Sequence, residues 1–65
     1  MNLTVNGAPR SLPEGASVAD LLAAMAARPP FAVAVNTRFV PAPRHTTHVL
    51  QPGDRVEVIS PVTGG

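Results

Sequence analysis

Pro52-Gly53-Asp54-Arg55-Val56-Glu57-Val58-Ile59 (residues 52–59) is the most informative stretch of this sequence for its fold. Pro-Gly-Asp is typical of a turn. After it, Val56 and Val58 alternate with charged side chains, which predicts a strand with one buried face. The strand would place its two valines against a core and its charged residues in water.

The residues that follow this strand are Ser60-Pro61-Val62-Thr63-Gly64-Gly65, so the sequence ends on two glycines. We expect a folded domain over residues 1–59 and a flexible tail over residues 60–65. Proline has no backbone N–H to donate to a neighbouring strand. The regular strand pairing should therefore stop at Pro61.

The beginning of the chain predicts a β-hairpin. Leu3 and Val5 alternate with polar residues, as in a strand with one buried face. Asn6-Gly7 follows, and this pair favours a type I′ turn, which needs positive φ at both central positions. The return strand should run to Leu12 with that side chain inward. Pro9 places the return strand at a sheet edge.

A helix is predicted next. Ser17 to Asp20 form a variant of the capping box, in which side chains at both ends satisfy backbone N–H groups. Apolar residues then recur at helical spacing, and they are Val18, Leu21, Leu22 and Met25. This spacing predicts one apolar face. We interpret it as a core face, with a membrane- or partner-binding helix as the alternative, and we expect Pro29-Pro30 to end the helix.

Further strands are predicted downstream. Phe31 to Asn36 is a nearly continuous apolar run, as in a strand buried on both faces. Thr37 and Arg38 should form a turn, and Phe39-Val40 and Val49-Leu50 are candidate short strands with a loop between them. The order of elements predicts an α+β fold, in which one main helix packs on one face of a mixed sheet of four to five strands.

Composition limits the class of protein. A chain of 65 residues forms one small domain, and the absence of Cys removes any sign of an oxidising compartment. Five arginines, four acids and two aromatic residues give little support for nucleic-acid binding. Neither a signal peptide nor a membrane-spanning segment is evident. We therefore expect a soluble, cytoplasmic protein with neither a nucleic acid nor a membrane as its partner.

The side chains offer few groups for catalysis. His45 and His48 are the only imidazoles, and they fall in a predicted loop without a further ligand nearby. We interpret both as solvated and expect no metal site and no bound cofactor. The serines have no His and Asp partners at a suggestive spacing, so an independent active site is not expected.

The α-carboxylate of Gly65 is then the best candidate for a reactive group. Gly64 and Gly65 have no Cβ, so this backbone can enter a narrow channel in a partner. An α-carboxyl is ionised near neutral pH and is a poor acyl donor. It can be activated with ATP as an acyl-adenylate, from which a sulfur or amine nucleophile displaces AMP. A small binding module with a flexible end is the alternative.

Several short motifs spread over residues 1–65 occur in the order seen in one known family. They are Leu3-Thr4-Val5-Asn6-Gly7, Ser17-Val18-Ala19-Asp20-Leu21-Leu22, Ala32-Val33-Ala34-Val35-Asn36, Val40-Pro41, Pro52-Gly53-Asp54-Arg55-Val56-Glu57-Val58 and Gly64-Gly65. The chain resembles the ThiS family of thiamine-biosynthesis sulfur carriers, within the wider ThiS/MoaD group of ubiquitin-like carriers. It departs from the family pattern after Pro41, where His45 falls near an aromatic position.

The resemblance implies a β-grasp (ubiquitin-like) fold, with the first and last strands parallel in the middle of the sheet. It implies that an E1-like adenylyltransferase uses ATP to adenylate Gly65, with Gly64 as its small neighbour. Sulfur from a cysteine desulfurase relay then forms a thiocarboxylate, and thiazole synthase takes this sulfur. The chain would be a protein cosubstrate and not an enzyme.

A partner surface is also predicted. With Val56 and Val58 toward the helix, Ile59 should lie on the open sheet face and dock on the partner. Residues Pro61, Val62 and Thr63 should thread into the partner's active site. The alternatives within the same fold are a carrier for molybdopterin or tRNA thiolation and a protein-conjugating modifier.

Overall fold

A mixed sheet covered by a helix on one face forms the domain in the computed structural model, which describes residues 1–60. The strands within these residues are β1 (Asn2–Val5), β2 (Ala8–Ser11), β3 (Ala32–Val35), β4 (Arg38–Val40) and β5 (Arg55–Ile59), the helix is α1 (Val18–Ala24), and a 3-10 turn spans Ala42–Arg44. The α+β prediction with one main helix on a sheet of four to five strands is confirmed.

The strand order is β2-β1-β5-β3-β4, so β5 lies at the centre of the sheet. It runs parallel to β1 and antiparallel to β3. The hairpins β1–β2 and β3–β4 form the two flanks, each of them antiparallel. The predicted β-grasp arrangement, with the first and last strands parallel in the middle, is confirmed.

The core lies between α1 and one face of the sheet. Val18, Leu21 and Leu22 of α1 are buried, as the helical spacing predicted. The sheet and loops contribute the other buried apolar side chains, which are Leu3, Val5, Leu12, Ala16, Val33, Val35, Val40, Leu50 and Val56. The apolar face of α1 is therefore a core face.

The N-terminus of α1 is fully capped. Asp20 N–H donates to Ser17 Oγ at 3.2 Å, and Ser17 N–H donates to Asp20 Oδ2 at 2.9 Å, which confirms the capping box. The first two helical N–H groups, of Val18 and Ala19, donate to the carbonyls of His48 (3.0 Å) and His45 (2.8 Å). These groups have no partner inside a helix, so the loop over 45–48 is fixed to α1 by supplying their acceptors.

The helix ends well before Pro29-Pro30, so the predicted end was wrong. Ala26 adopts a left-handed φ of 54°. The N–H groups of Ala26 and Ala27 donate to Ala23 O (3.1 Å) and Leu22 O (3.0 Å). This pair of bonds is the Schellman motif, which closes a helix by satisfying its last carbonyls. Glycine is usual at the left-handed position, and alanine there gave no sequence signal.

Strand β3 is not buried on both faces, contrary to the prediction. Val33 and Val35 are buried, whereas Ala32 and Ala34 are partly exposed on the opposite face. Within residues 1–60 the helix covers one side of the sheet. The sequence of β3 is continuously apolar because alanines, which are small, occupy the open side of the sheet, and not because both sides are buried.

The turn between β3 and β4 is one residue earlier than predicted. Asn36 and Thr37 occupy its centre with φ of 51° and 70°, and Arg38 is the first residue of β4. Asn6 and Gly7 form the corresponding turn between β1 and β2, with φ of 51° and 81°. The type I′ turn predicted at Asn6-Gly7 is confirmed, and the second turn of this class was missed because Thr37 stands where glycine is usual.

The candidate strand at Val49-Leu50 is reduced to a single bridge between Ser17 and Val49. Leu50 is buried in the core while Val49 is exposed. The segment is thus held by one side chain and by one bridge, which is too little for a strand. No helix within residues 1–60 has the length and apolar character needed to cross a bilayer.

We predict that Thr37→Gly stabilises the protein. A left-handed φ costs a residue with a Cβ about 1–2 kcal/mol, and glycine avoids this cost. Glycine also loses more conformational entropy on folding, which offsets about 0.5–1 kcal/mol of the gain. The free energy of unfolding should rise by about 0.5–1 kcal/mol, measured by urea denaturation.

The reciprocal control is Gly7→Thr. A Cβ at Gly7 would meet nothing within 4 Å, so the change tests backbone conformation without a steric clash. It should lower the free energy of unfolding by about 1 kcal/mol. A loss of stability in Thr37→Gly would contradict the account of this turn.

Candidate functional site

The candidate site begins at the end of β5, the strand that leads into residues 60–65. On one side, Thr4 N–H donates to Asp54 O (3.0 Å) and Asn6 N–H donates to Val56 O (2.8 Å). On the other side, β3 pairs with β5 along its length and ends with Ile59 opposite Ala32. The last described strand is therefore held between two neighbours.

Asn6 extends the pairing of β5 beyond the end of β1. Its side-chain Oδ1 accepts from Val58 N–H at 2.9 Å. The side chain thus takes the place of a backbone carbonyl at a position where β1 has already turned away. This contact steadies β5 just before Ile59 and was missed in the sequence, where Asn6 was explained by its φ alone.

Asn36 has the same role at the start of β5. Its Oδ1 accepts from Arg55 N–H at 2.9 Å, and its Nδ2 donates to Asp54 Oδ1 at 2.9 Å. The buried carboxylate of Asp54 also accepts from Gln51 N–H at 2.8 Å. The two turn asparagines and this aspartate fix both ends of the strand.

The open face of the sheet carries an apolar patch, defined here as Ala32, Ala34, Phe39 and Ile59. The side chains of Ile59 and Phe39 are 60% and 67% exposed. Ile59 is opposite Ala32 and Phe39 is opposite Ala34, so the four residues share one face across three strands. Residues directly opposite in a sheet point to the same side. The small alanines leave the surface between the two large side chains shallow.

Phe39 was missed as part of this surface. The sequence did contain a signal for it. Phe39 precedes Val40 in a predicted strand, and neighbouring residues of a strand point to opposite faces, so a buried Val40 places Phe39 on the open face. Arg55 and Glu57 are exposed on the same face as Ile59 and border the patch with charge. The docking role predicted for Ile59 stays a prediction.

The remaining predicted site residues, Pro61, Val62, Thr63, Gly64 and Gly65, lie outside the described residues. The predictions of a flexible tail, of threading and of the end of strand pairing at Pro61 therefore stay predictions. Ser60 is the last residue described, and its hydroxyl donates to Pro30 O at 3.4 Å.

His45 is buried, so its interpretation as a solvated histidine was wrong. Its side chain is 7% exposed. Nε2 lies 3.0 Å from Val40 O, and since the carbonyl can only accept, Nε2 donates. The ring packs against Phe31 with centroids 5.8 Å apart. His45 therefore joins the 3-10 turn to the core, near the position where the resemblance led us to expect an aromatic side chain.

His48 is partly buried, and its backbone carbonyl caps α1. Among residues 1–60, no three His, Asp or Glu side chains lie close enough together to hold a metal ion. The two histidines thus have structural contacts with the helix and with β4.

Comparison with known proteins identifies the family. The profile of the ThiS family matches residues 3–65. The chain belongs to the ThiS family. It is also similar to the crystal structure of a thiamine biosynthesis protein (ThiS) from Geobacter metallireducens, with 30% sequence identity, full coverage of both chains and a TM-score of 0.84. No curated protein matches the chain at a significant level.

The ThiS-family match includes the two terminal glycines as well as the sheet and the helix. The structural match confirms the β-grasp fold over the whole described domain. Within this ThiS-family chain, the geometry places an apolar patch at the end of the strand that precedes Gly64-Gly65.

We predict that Asn6→Gly weakens the end of β5. Glycine keeps the positive φ of the turn but removes the acceptor of Val58 N–H. The loss of one hydrogen bond should lower the free energy of unfolding by about 1 kcal/mol. Relief of the left-handed φ offsets little of this, because asparagine adopts that conformation more readily than threonine does. Amide hydrogen exchange measured by NMR should become faster at Val58 relative to the core amides of β1.

Asn6→Asp is the matched control, because its carboxylate retains an acceptor oxygen at the same place. Its Val58 amide should exchange at nearly the original rate. Equal protection of the Val58 amide in Asn6→Gly and in the unaltered protein would show that the Asn6 side chain does not hold the strand.

Proposed function

We propose that this chain is a sulfur carrier protein of thiamine biosynthesis, in which the carboxylate of Gly65 carries the sulfur. Family membership and the structural match support a sulfur-carrier role in thiamine biosynthesis. The observation that supports it most strongly is the ThiS-family match over residues 3–65, which includes Gly64-Gly65. The chain would serve as a protein cosubstrate in the cytoplasm, with the catalysis done by its partners.

The proposed chemistry begins with an ionised carboxylate, which needs activation. An E1-like adenylyltransferase transfers AMP from ATP to the Gly65 carboxylate and releases pyrophosphate. The outer sulfur of a desulfurase-derived persulfide displaces AMP and forms an acyl-persulfide. A second thiol then attacks the inner sulfur, which breaks the S–S bond, releases the thiocarboxylate and leaves a disulfide. Thiazole synthase then takes this sulfur. ATP binds to the activating partner, and no cofactor is assigned to this chain.

The small size of Gly64 and Gly65 supports the activation step. Without Cβ atoms, a backbone can enter a channel that closes around the reacting carboxylate. Pro61, Val62 and Thr63 would thread between the domain and that channel. The domain supports this role because β5 is hydrogen-bonded on both sides up to Val58 and Ile59. The tail is thus attached to the central strand of the sheet.

The apolar patch supports docking of the activating enzyme on the open sheet face. Phe39 and Ile59 are large apolar side chains exposed on one surface, and exposed apolar surface is a common feature of protein interfaces. Arg55 and Glu57 give this surface a charged rim, which resembles the usual arrangement of an apolar centre and a polar rim. A partner bound there would lie beside the start of the tail.

The acceptor of the sulfur is the step on which related carriers differ. A carrier for molybdopterin or tRNA thiolation uses the same acyl chemistry, and a protein modifier uses an amine as the nucleophile. Thiamine is favoured because the family and the similar crystal structure are both ThiS.

We predict that Gly65 becomes a thiocarboxylate. After incubation with an E1-like adenylyltransferase, ATP, a cysteine desulfurase and cysteine, the intact mass should increase by the difference between sulfur and oxygen. Deletion of Gly65 should abolish this change, because the carboxylate would then lie on Gly64, one residue short of the catalytic position.

Two controls complete this experiment. Omission of ATP should prevent the mass change, since the carboxylate is then not activated. Thiazole synthase should return the mass to its original value when its other substrates are present. An unmodified protein under conditions that modify another ThiS-family carrier would refute the proposal, and an amide-linked product would favour a protein modifier.

We predict that Ile59→Ser and Phe39→Ser slow adenylation by weakening docking. Buried apolar anchors at interfaces often contribute more than 1 kcal/mol each, so kcat/KM of the activating enzyme for each variant should fall by roughly tenfold. The measurement is ATP–pyrophosphate exchange at varied carrier concentration. The loss should appear mainly in KM.

Val49→Ser is the matched control. Val49 is also an exposed apolar residue, at 47%, but it lies beside Ser17 and away from the open sheet face. Its kcat/KM should be unchanged. Equal losses in Val49→Ser and Ile59→Ser would indicate a general effect on stability and not a docking surface.

A further inference from the structure

A groove runs along the outer edge of β4. Its lining, which defines the β4-edge groove, consists of Arg38, Phe39, Val40, Pro41, Arg44 and His48. Val40 and Pro41 give it an apolar floor, and the 3-10 turn over Ala42–Arg44 brings Arg44 to one side. The groove is thus formed by an edge strand and the loop that follows it.

The backbone of β4 is available for hydrogen bonding at this edge. Arg38 and Val40 are opposite Val35 and Val33 of β3. The pair next to a two-residue turn, Val35 and Arg38, is hydrogen-bonded. Hydrogen-bonded and non-hydrogen-bonded pairs alternate along an antiparallel ladder, so Val33 and Val40 are hydrogen-bonded and Ala34 and Phe39 are not. Phe39 therefore directs its N–H and C=O away from β3 and into the groove. Among the hydrogen bonds of residues 1–60 outside the regular strand pairing, neither group has a partner, so Phe39 can pair with an added strand.

The charge of the groove is positive. Arg38 and Arg44 are exposed there, and His48 adds an imidazole, whereas no Asp or Glu lines it. Within residues 1–60, the guanidinium groups of Arg38 and Arg44 make no hydrogen bond. Arg10, outside the groove, donates to Ala24 O at 3.1 Å. Positive side chains on an edge strand discourage pairing with a second copy of the same chain. They attract a strand of opposite charge.

Within residues 1–60, the acidic side chains lie away from this surface. Asp20 belongs to the helix cap and Asp54 is buried beside Asn36. Glu57 is on the open sheet face, opposite Ala34. Glu14 lies near the start of α1, with Gly15 and Asp20, in a different groove. The two arginines therefore form a basic region of their own.

The groove lies at the end of the sheet from which the chain continues past β5. Val40 is opposite Val33, and Val33 is in turn opposite Val58. Pro41 and Arg44 are therefore on the same side of the domain as Ile59, with β3 between them. A protein that binds residues 60–65 can reach both.

We propose that the β4-edge groove binds an extended acidic segment of the protein that activates the tail. This proposal rests on the proposed function, because the segment in the groove is taken to belong to the activating adenylyltransferase. The segment would add a strand to β4, with two backbone hydrogen bonds to Phe39. This mode of recognition extends an exposed sheet edge.

The two faces of β4 define the side chains of this segment. Arg38 shares the face of Val35, on the helix side, while Phe39 lies on the opposite, open side. Side chains alternate between faces along a strand. The segment should therefore carry carboxylates on the helix side, toward Arg38 and Arg44, and apolar side chains on the open side, toward Phe39. A phosphate group alone would use the arginines but neither the apolar floor nor the strand edge.

The test uses a synthetic peptide in which Glu alternates with Val, blocked at both ends, and the full-length 15N-labelled protein. NMR titration should shift the amides of Phe39, Val40, Arg44 and His48, with little change in β2. The Kd should increase with salt, because exposed charges are screened. A peptide with Lys in place of each Glu should not bind.

Charge reversal provides matched variants. Arg44→Glu should weaken binding of the acidic peptide by about tenfold, as expected for removal of an attractive charge and addition of a repulsive one. Arg28→Glu changes the same charge at an exposed site beyond α1 and outside the groove, so it should alter the Kd less than about twofold. Equal effects of the two variants would overturn the proposal, because only the net charge would then matter.

Further outcomes also decide the proposal. Equally strong shifts of the same amides with inorganic phosphate or ATP would overturn it in favour of a small-anion site. Shifts centred on another strand, or an absence of shifts at peptide concentrations up to the millimolar range, would overturn it as well.

The link to the activating enzyme is tested separately. In ATP–pyrophosphate exchange, Arg44→Glu should raise KM about tenfold with little change in kcat, while Arg28→Glu should leave both unchanged. If the unaltered protein is adenylated and the two variants behave alike, the groove proposal fails and the sulfur-carrier proposal stands. If the unaltered protein is not adenylated by competent enzyme, the sulfur-carrier proposal fails, whatever the peptide does.

Discussion

The central position of β5 is the constraint on which the rest of the structure depends. A strand in the middle of a sheet needs partners for its N–H and C=O groups on both sides, because unpaired buried backbone groups are costly. Here β1 and β3 are both shorter than β5 by one residue. Asn6 and Asn36 supply the missing contacts with their side chains, one near each end of β5. Two hairpin turns thus have a second use as caps for the central strand.

Polar side chains also connect the loops to a small core. Ser17, His45 and Asp54 are buried, and each has a hydrogen-bond partner in α1, β4 or the turn before β5. Within residues 1–60, no buried side-chain nitrogen or oxygen lacks a partner. A domain of this size buries only about 60% of its unfolded surface. Specific polar contacts therefore define where the loops lie while the apolar core supplies most of the stability.

Features with a recognised residue signature nearby could be predicted from the sequence, whereas features that depend on distant residues, or on an unusual residue in a turn or cap, could not. The Asn6-Gly7 turn, the Ser17 cap and the alternation of Val56 with charged residues depend on local preferences, so each was found. The burial of His45 depends on Phe31 and Val40, and the end of α1 depends on a left-handed alanine. In the candidate site, alternation located Ile59, but Phe39 joins it only through the register of β3 between β4 and β5.

Phe39 lies where two surfaces of different character meet. Its side chain belongs to the apolar patch on the open face, whereas its backbone groups face the β4-edge groove. Ile59 belongs to the patch alone and Arg44 to the groove alone, so their substitutions separate the two surfaces. A partner that contacts both would surround the β3–β4 hairpin on two sides. Because β3 pairs with β5 from Val56 to Ile59, holding this hairpin also holds the end of β5. Under the proposed function, docking at both surfaces would hold the end of β5 in place while the Gly65 carboxylate is activated.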